Sequence, residues 1–188
     1  GHLRHEIGHY YWNILIRDGG RIDPCRAVFC DERLDYQAAL QNHYARIAPD
    51  NWRENYVSHY AMSHPWEDFA ETWAHYFHIV STLETALSYD MTIGSIPNAQ
   101  VVSARDHDPY LRMHFDEIIR AWLPLTYAVN SLNRSMGLGD FYPFVLTGGV
   151  RTKLRLIHGV VRSVQQTEQR TGGLSVARFG NRGFRHSR

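Results

Sequence analysis

The five residues His5-Glu6-Ile7-Gly8-His9 constrain this chain most, because they place two histidines four positions apart within a helical pattern of apolar residues. Residues four apart lie on the same face of an α-helix, so both imidazoles can reach one Zn²⁺ ion at about 2.0–2.1 Å. Glu6 lies slightly to the side, where it can take a proton from a water molecule activated by the metal. The motif predicts a zinc site on the first helix, with His5 and His9 as ligands and Glu6 as general base.

A catalytic zinc ion needs a third protein ligand, and the sequence excludes one source of it. Metzincins carry Gly and His three and six residues after the second histidine of the motif. This chain has Trp12 and Leu15 at those positions, so it is not a metzincin. The third ligand is therefore expected from a separate helix.

A second helix, beginning near Pro65, carries two carboxylates on one stripe, Glu67 and Glu71. The small residues Ala70 on this helix and Gly8 on the first would let the two helices approach closely. Charged groups are rarely buried without partners, and a zinc ion with its histidines would compensate both carboxylates. We expect Glu67 to bind the metal and Glu71 to accept the other N–H of a ligand histidine. The alternative is a solvated acidic first turn, which the helix dipole favours.

Taken together, His5-Glu6-x-x-His9 and the downstream Glu67-Asp68-Phe69-Ala70-Glu71 resemble the gluzincin class of zinc metallopeptidases. The E-x-F-A-E form is similar to the catalytic motifs of the anthrax lethal factor group, in which a tyrosine precedes the first glutamate by seven residues. Tyr60 takes that position here, and the resemblance implies that its phenol stabilises an oxyanion. Tyr56 and His59 lie nearby and stay open for the same role.

The wider sequence, as far as Tyr142-Pro143-Phe144-Val145, resembles a bacterial family of zinc-binding metallopeptidases over about residues 1–165. The resemblance implies one Zn²⁺ ion per chain, held by His5, His9 and Glu67, in a mainly α fold, the zincin-like (gluzincin) helical catalytic subdomain. Gluzincins of known fold place a β-sheet before the His-Glu helix, and longer family members carry a zinc-ribbon segment there. Neither is visible here, and the chain opens inside a helix, so we expect the later, catalytic part of a longer protein.

Helical periodicity predicts one helical catalytic region over residues 1–166, followed by a basic, disordered tail over 167–188. The opening helix is expected to end at Gly19-Gly20. Further helices are predicted at 31–47, 63–88, 108–136 (kinked at Pro124) and 150–166. The segments between them are predicted to be a connector at 21–30, irregular chain at 48–63 and a loop at 90–107 with a short strand at 100–103.

Composition excludes several classes of protein. The formal net charge is +1, which predicts no nucleic-acid partner for the chain as a whole. No stretch approaches the ~20 apolar residues of a transmembrane helix, and no signal peptide is visible, so we expect a cytoplasmic protein without a membrane partner. Cys25 and Cys30 are too few for a disulfide scaffold and are expected to be buried or free thiols. Most of the 12 histidines, including those at 2, 59, 64, 75 and 78, are expected to be ordinary side chains rather than a second metal site.

Three functions stay open at this point. The first is a zinc-dependent peptidase that acts on a peptide or protein substrate, and it is the one we expect. The second is a non-catalytic zinc-binding helical module for protein interaction, or an inactive fragment, which the missing sheet motivates. The third is nucleic-acid binding through the arginine-rich tail, which would require an affinity that falls steeply with salt.

Overall fold

The computed structural model describes residues 1–45, 47–91, 109–110 and 113–171, with the side chains of the last helix described as far as residue 164. These residues form helices and contain no strand, which confirms the predicted mainly α fold. Two 3₁₀ turns, Trp52–Glu54 and Tyr60–Ser63, and a π-helical turn, Trp12–Arg17, lie between or beside the α-helices. The α-helices are α1 (His2–Tyr11), α2 (Ile22–Phe29), α3 (Tyr36–Ala45), α4 (Pro65–Ser88), α5 (Phe115–Ser135) and α6 (Gly148–Thr171).

Helix α4 is the centre of the fold, because α1, α2, α5 and α6 all pack against it. Its first turn is well defined: Pro65 opens the helix, and the His64 side chain accepts a 3.1 Å hydrogen bond from the backbone N–H of Trp66. Buried side chains then occur on several faces of the helix, from Glu67 to Ala86. A helix that is buried almost all round lies inside the core, so residues on α4 can contact the other helices directly.

The first helix lies very close to α4, as the small residues predicted. A Cβ atom placed on Gly8 would lie 3.0 Å from the backbone Cα of Ala70 and 3.2 Å from the side chain of Trp73. Real side chains do not tolerate such contacts without movement, so glycine at this position sets the distance between α1 and α4. The opening helical segment ends where predicted, since Gly20 adopts a positive φ of 68°.

Three element predictions were wrong. Residues 22–29, inside the predicted connector, form helix α2, because Pro24 falls in the first helical turn, where its missing N–H costs nothing. Helix α5 begins at Phe115 rather than at residue 108, and its start is fixed by the Glu117 carboxylate, which accepts a 2.6 Å hydrogen bond from the His114 backbone N–H. Helix α3 begins at Tyr36, later than the predicted residue 31.

The remaining predictions have mixed outcomes. Helix α6 starts two residues before the predicted boundary and continues to Thr171, past its predicted end at residue 166. The predicted strand at 100–103 and the tail from residue 172 lie outside the described residues. Cys25 is buried and Cys30 is exposed, and both are free thiols. In the described part of the chain, no helix has both the length and the apolar character needed to cross a bilayer.

Candidate metal centre

Three side-chain atoms from α1 and α4 converge on one point. His5 Nε2 lies 3.0 Å from Glu67 Oε2, His9 Nε2 lies 3.4 Å from the same oxygen, and the two Nε2 atoms are 3.1 Å apart. Ligand atoms bound tetrahedrally at about 2.0–2.1 Å would be separated by about 3.3 Å, from simple trigonometry. The observed triangle matches that spacing, so the three predicted ligands form a group that can hold one metal ion.

The two oxygens of Glu67 have different surroundings. Oε1 accepts a 2.8 Å hydrogen bond from the Tyr36 hydroxyl at the start of α3. Oε2 is buried and faces both imidazoles, with His5 Nε2 at 3.0 Å and His9 Nε2 at 3.4 Å. A buried carboxylate needs positive charge nearby, which the imidazoles supply in the metal-free protein and a cation at the centre of the triangle would supply in their place. The surroundings of this oxygen therefore fit a metal at the site.

The protonation of Glu67 also fits a ligand. Burial by itself would raise the pKa of this carboxyl, which is almost inaccessible to solvent. The imidazoles of His5 and His9 and the Tyr36 hydroxyl outweigh burial and hold the pKa well below its usual range. Glu67 is therefore ionised at neutral pH, as a metal ligand must be.

A chain of hydrogen bonds orients His5 from behind. Its Nδ1 atom lies 2.7 Å from Oε1 of Glu71, one turn after Glu67 on α4. The other oxygen of Glu71 accepts a 2.5 Å hydrogen bond from the Ser58 hydroxyl. A carboxylate on the far nitrogen of a ligand histidine fixes the ring and would direct Nε2 toward a metal, and the contact of Glu71 with Nδ1 is compatible with that role. The carboxylates of Glu67 and Glu71 together raise the pKa of metal-free His5 to about 9.

The second histidine is positioned by packing. The His9 ring lies 4.1 Å, centre to centre, from the ring of Trp66 in the first turn of α4. Its backbone carbonyl accepts a 3.1 Å hydrogen bond from the Asn13 side chain. The ring contact with Trp66 restricts the imidazole, whereas the Asn13 bond holds only the backbone of α1 at this position.

Glu6 and Tyr60 lie beside the triangle rather than in it. Glu6 is next to His5 on the solvent side of α1, with its carboxylate 3.6 Å from the His2 ring. Tyr60 starts the 3₁₀ turn before α4, and its ring centre lies 5.9 Å from that of His5. Both residues line a cleft of about 670 Å³ that also includes His5. The predicted base and the predicted oxyanion donor thus face the same space next to the ligands.

The two other residues considered for the role of Tyr60 point elsewhere. The Tyr56 ring packs under the Lys153 ammonium, which lies 4.1 Å from the ring centre. The His59 ring packs on His43 at 4.5 Å. Neither lines the cleft, so Tyr60 is the residue of this trio that adjoins the ligands.

A buried ion pair holds the segment that carries Ser58 and Tyr60. Lys153 on α6 contacts Asp68 on α4 at 2.6 Å and donates a 2.5 Å hydrogen bond to the carbonyl of Asn55. Both charges are nearly inaccessible to solvent, so removing either partner would leave an unpaired buried charge. The pair therefore holds the start of this segment, at Asn55, against α4 and α6.

The other histidines have ordinary partners. His75 contacts the Tyr142 hydroxyl at 2.9 Å through Nδ1, His78 accepts a 3.0 Å hydrogen bond from Arg4, and His64 caps α4. Within the ranges that the structure describes, His5, His9 and Glu67 are the one group of three potential ligands close enough to share an ion. His2 is mostly exposed and lies outside that group. The histidine surplus of the sequence therefore does not form a second site in this part of the chain.

Tyr36 and Ser58 were missed by the sequence analysis. Tyr36 lies in a helix with little apolar periodicity, and Ser58 lies in an irregular segment. Ser58 precedes the candidate residue Tyr60 by two positions, which is the one sequence feature that draws attention to it. This spacing does not predict a hydrogen bond from Ser58 to Glu71.

Comparisons with known proteins show the family of the chain. Residues 1–160 match the family described as "Putative zinc-binding metallo-peptidase". The chain is 42% identical over 165 residues to an uncharacterized protein of Mycobacterium bovis, and equally to uncharacterized proteins of Mycobacterium tuberculosis strains CDC 1551 and H37Rv. Each alignment covers 87% of this chain and 46% of the relative, so the chain spans less than half the length of the curated relatives it matches.

No solved structure matches the chain. The resemblance to a zinc-binding metallopeptidase family is confirmed by the family match, whereas the zincin-like assignment of the fold stays a prediction.

Proposed function

Since the chain belongs to this zinc-binding metallopeptidase family, we propose that it hydrolyses peptide bonds with one Zn²⁺ ion held by His5, His9 and Glu67. The observation that carries the proposal is the triangle of three ligand atoms, 3.0 to 3.4 Å apart, with a buried, ionised carboxylate at one corner. Three protein ligands leave a fourth tetrahedral position open, which is typical of catalytic rather than structural zinc.

The residues around the ligands divide the chemistry between them. When bound, zinc supplies a Lewis acid that acidifies water and polarises a carbonyl group. Glu6 accepts the proton of the attacking water and later delivers it to the leaving amine, and its exposed position beside His5 gives it access to both. Tyr60 donates its phenolic proton in a hydrogen bond to the oxygen of the scissile carbonyl as negative charge develops there. Glu71 keeps His5 in the tautomer whose Nε2 is free to bind metal.

Burial of the ligands contributes to the same chemistry. His5 and Glu67 are largely excluded from solvent, whereas Glu6 and the cleft are open. Charges interact more strongly where water is excluded, so the ligand side binds the ion tightly while the cleft side admits a peptide. The substrate of this proposal is a peptide or protein, and we propose no nucleic-acid or membrane partner.

The proposal is tested by zinc content and peptidase activity measured on the same preparations. We expect about one zinc per chain, with cleavage of a fluorogenic peptide library by the zinc-loaded protein. Glu6→Gln should retain zinc and lose at least 100-fold in kcat/KM, because the general base is replaced by an amide of the same shape.

His9→Ala should lose both zinc and activity, and Glu84→Gln, an exposed carboxylate on α4, should change neither. Full turnover by Glu6→Gln would exclude this mechanism. Stoichiometric zinc without cleavage of any peptide would favour the non-catalytic zinc module instead.

A further inference from the structure

The cleft beside the metal ligands continues well beyond them. Its lining includes His5, Glu6 and Tyr60, together with Glu71, Ala74, His75 and His78 of α4. It also includes four aromatic side chains, Trp122, Phe141, Tyr142 and Phe144, and two of them, Tyr142 and Phe144, contact His75, about two helical turns after Glu67 on α4. Its volume of about 670 Å³ is within the range of ordinary ligand sites. A peptide whose scissile bond lies at the ligands would therefore extend over this aromatic wall.

The aromatic wall is preformed. Tyr142 packs edge-on against Trp122 at 5.2 Å, and Phe144 packs against both Tyr142 and His75, at 5.2 and 4.5 Å. The Asn130 side chain makes two 3.0 Å hydrogen bonds to the backbone of Tyr142, and the Tyr142 hydroxyl contacts His75. Little side-chain entropy remains to be lost when a group binds there.

Part of this wall is apolar surface in contact with water. Phe141 is 51% exposed and Phe144 is 39% exposed. Burying such surface under an apolar group is favourable roughly in proportion to the area covered. A large side chain that rested on both rings would gain more than a methyl group could.

The titratable side chains that α4 contributes to the cleft, His75, His78 and Glu71, offer no free charge. Burial lowers the pKa of His75 to about 4 and also lowers that of His78, so both imidazoles are neutral at pH 7. The Arg4 guanidinium behind His78 is engaged by that ring and by the Ser81 hydroxyl. The Glu71 carboxylate is taken by His5 and Ser58. A charged peptide side chain would lose hydration beside these three groups without gaining a partner from them.

We infer that this aromatic end of the cleft is a side-chain subsite that selects a large apolar residue, aromatic or long aliphatic, in the peptide. The inference rests on the proposed function and adds its substrate class. Trp122, Phe141, Tyr142 and Phe144 form the wall of the subsite, and His75 fixes the wall to α4. Small and charged residues at the same peptide position bind more weakly, because they cover less of the wall or cannot replace their lost hydration.

Binding of matched peptides tests the inference without requiring turnover. The zinc-loaded Glu6→Gln chain is titrated against fluorescein-labelled peptides of Gly, Ser and Ala that differ at one central residue: Phe, Leu, Ala, Asp or Lys. We expect the Phe and Leu peptides to bind at least tenfold more tightly than the other three. Equal dissociation constants across the five peptides would overturn the inference.

Two wall variants and one control locate the effect. Phe144→Ala, in the same background, should reduce the Phe-to-Ala preference to about twofold, with zinc content and helical circular dichroism unchanged. Phe141→Ala is the second wall variant, and it is used alone if Phe144→Ala does not fold. Tyr127→Ala removes an exposed aromatic ring of α5 that does not line the cleft, so it should preserve the preference. A preference that survives both wall variants would contradict the assignment.

The inference and the proposed function fail in different ways. Cleavage of the same five peptides by the zinc-loaded wild-type chain is measured in parallel. Selective binding without any cleavage would support the subsite and contradict the peptidase. Cleavage of all five peptides with equal kcat/KM would support the peptidase and contradict the subsite.

Discussion

The Tyr36 hydroxyl donates a 2.8 Å hydrogen bond to Oε1 of Glu67, and this bond leaves Oε2 as the oxygen that faces His5 and His9. One residue of α3 thus decides which carboxylate oxygen is available to a metal ion. Mutation of a residue that hydrogen-bonds to a metal ligand commonly weakens the binding of the metal.

Tyr36→Phe should therefore weaken zinc binding by about tenfold or more while the fold is retained, because it removes only the hydroxyl that orients Glu67. The affinity is measured by competition with a chromophoric chelator. Tyr44→Phe is the matched control, since it makes the same change on a mostly exposed tyrosine of the same helix. Equal affinity of Tyr36→Phe and wild type would show that this bond does not position the ligand.

Mutations in the Ser58–Glu71–His5 chain of hydrogen bonds should lower the zinc affinity to different degrees. Glu71→Gln is expected to lower zinc affinity by about 10–100-fold, because it removes the negative charge that holds the far nitrogen of His5. Ser58→Ala removes one of the bonds to that carboxylate, so its effect should be smaller and in the same direction. Chelator competition again gives the affinities, with Glu84→Gln as control. A larger loss for Ser58→Ala than for Glu71→Gln would contradict this order.

The ligands of the candidate centre were predictable because helical periodicity is local. His5 and His9 are one turn apart on one helix, and Glu67 and Glu71 are one turn apart on another, so each pair shares a face whatever the rest of the chain does. Only the close approach of the two helices depends on residues that are far apart in the sequence, and Gly8 indicated that approach.

Tyr36 and the start of α5 could not be predicted in the same way. Tyr36 reaches Glu67 across 31 residues, and that contact depends on how α3 packs beside the Tyr60–Ser63 turn. The start of α5 depends on the capping box between His114 and Glu117, which competes with an equally plausible earlier start at Asp108-Pro109. A tertiary contact places Tyr36 beside Glu67, and a helix cap sets the start of α5. Neither kind of interaction leaves a periodic signal in the sequence.

Gly8→Ala should destabilise the protein although alanine is the better helix former. The intrinsic gain of about 1 kcal/mol is outweighed by overpacking against the Ala70 backbone, which costs about 1–3 kcal/mol. We expect a lower free energy of unfolding in urea and weaker zinc binding, because α1 must move away from Glu67. Gly159→Ala on α6 meets no atom within 4 Å and should raise the stability by roughly 0.5–1 kcal/mol. A stabilised Gly8→Ala variant would contradict the close approach.

Zinc binding should release protons. In the metal-free protein the carboxylates of Glu67 and Glu71 raise the pKa of His5 to about 9, so this imidazole is charged at pH 7 and must lose its proton to bind metal. Titration calorimetry in buffers of different ionisation enthalpy should give about one proton released per zinc at pH 7. The affinity should rise by up to tenfold per pH unit between pH 7 and 9. No dependence on the buffer would show that His5 is already neutral.

The raised pKa of His5 has the opposite effect on the stability of the metal-free protein. A folded-state pKa above the unfolded value of about 6.5 contributes stability that is fully present below pH 6.5 and is lost as the pH rises through 9. Raising the pH should therefore favour zinc binding while it weakens the metal-free protein.

His158 should make the fold sensitive to acid. Its ring is buried and contacts the Tyr76 hydroxyl at 3.0 Å through Nδ1, and burial lowers its pKa to about 4. Because the folded-state pKa lies below the unfolded value, the stability from the neutral ring is present above pH 6.5 and is lost as the pH falls toward 4. At 1.36 kcal/mol per pKa unit the loss is roughly 3 kcal/mol. His158→Asn keeps an acceptor for Tyr76 without the titration, so urea unfolding from pH 7.5 to 4.5 should show wild type losing about that much more stability than the variant. Parallel pH profiles would mean that His158 titrates normally in the folded protein.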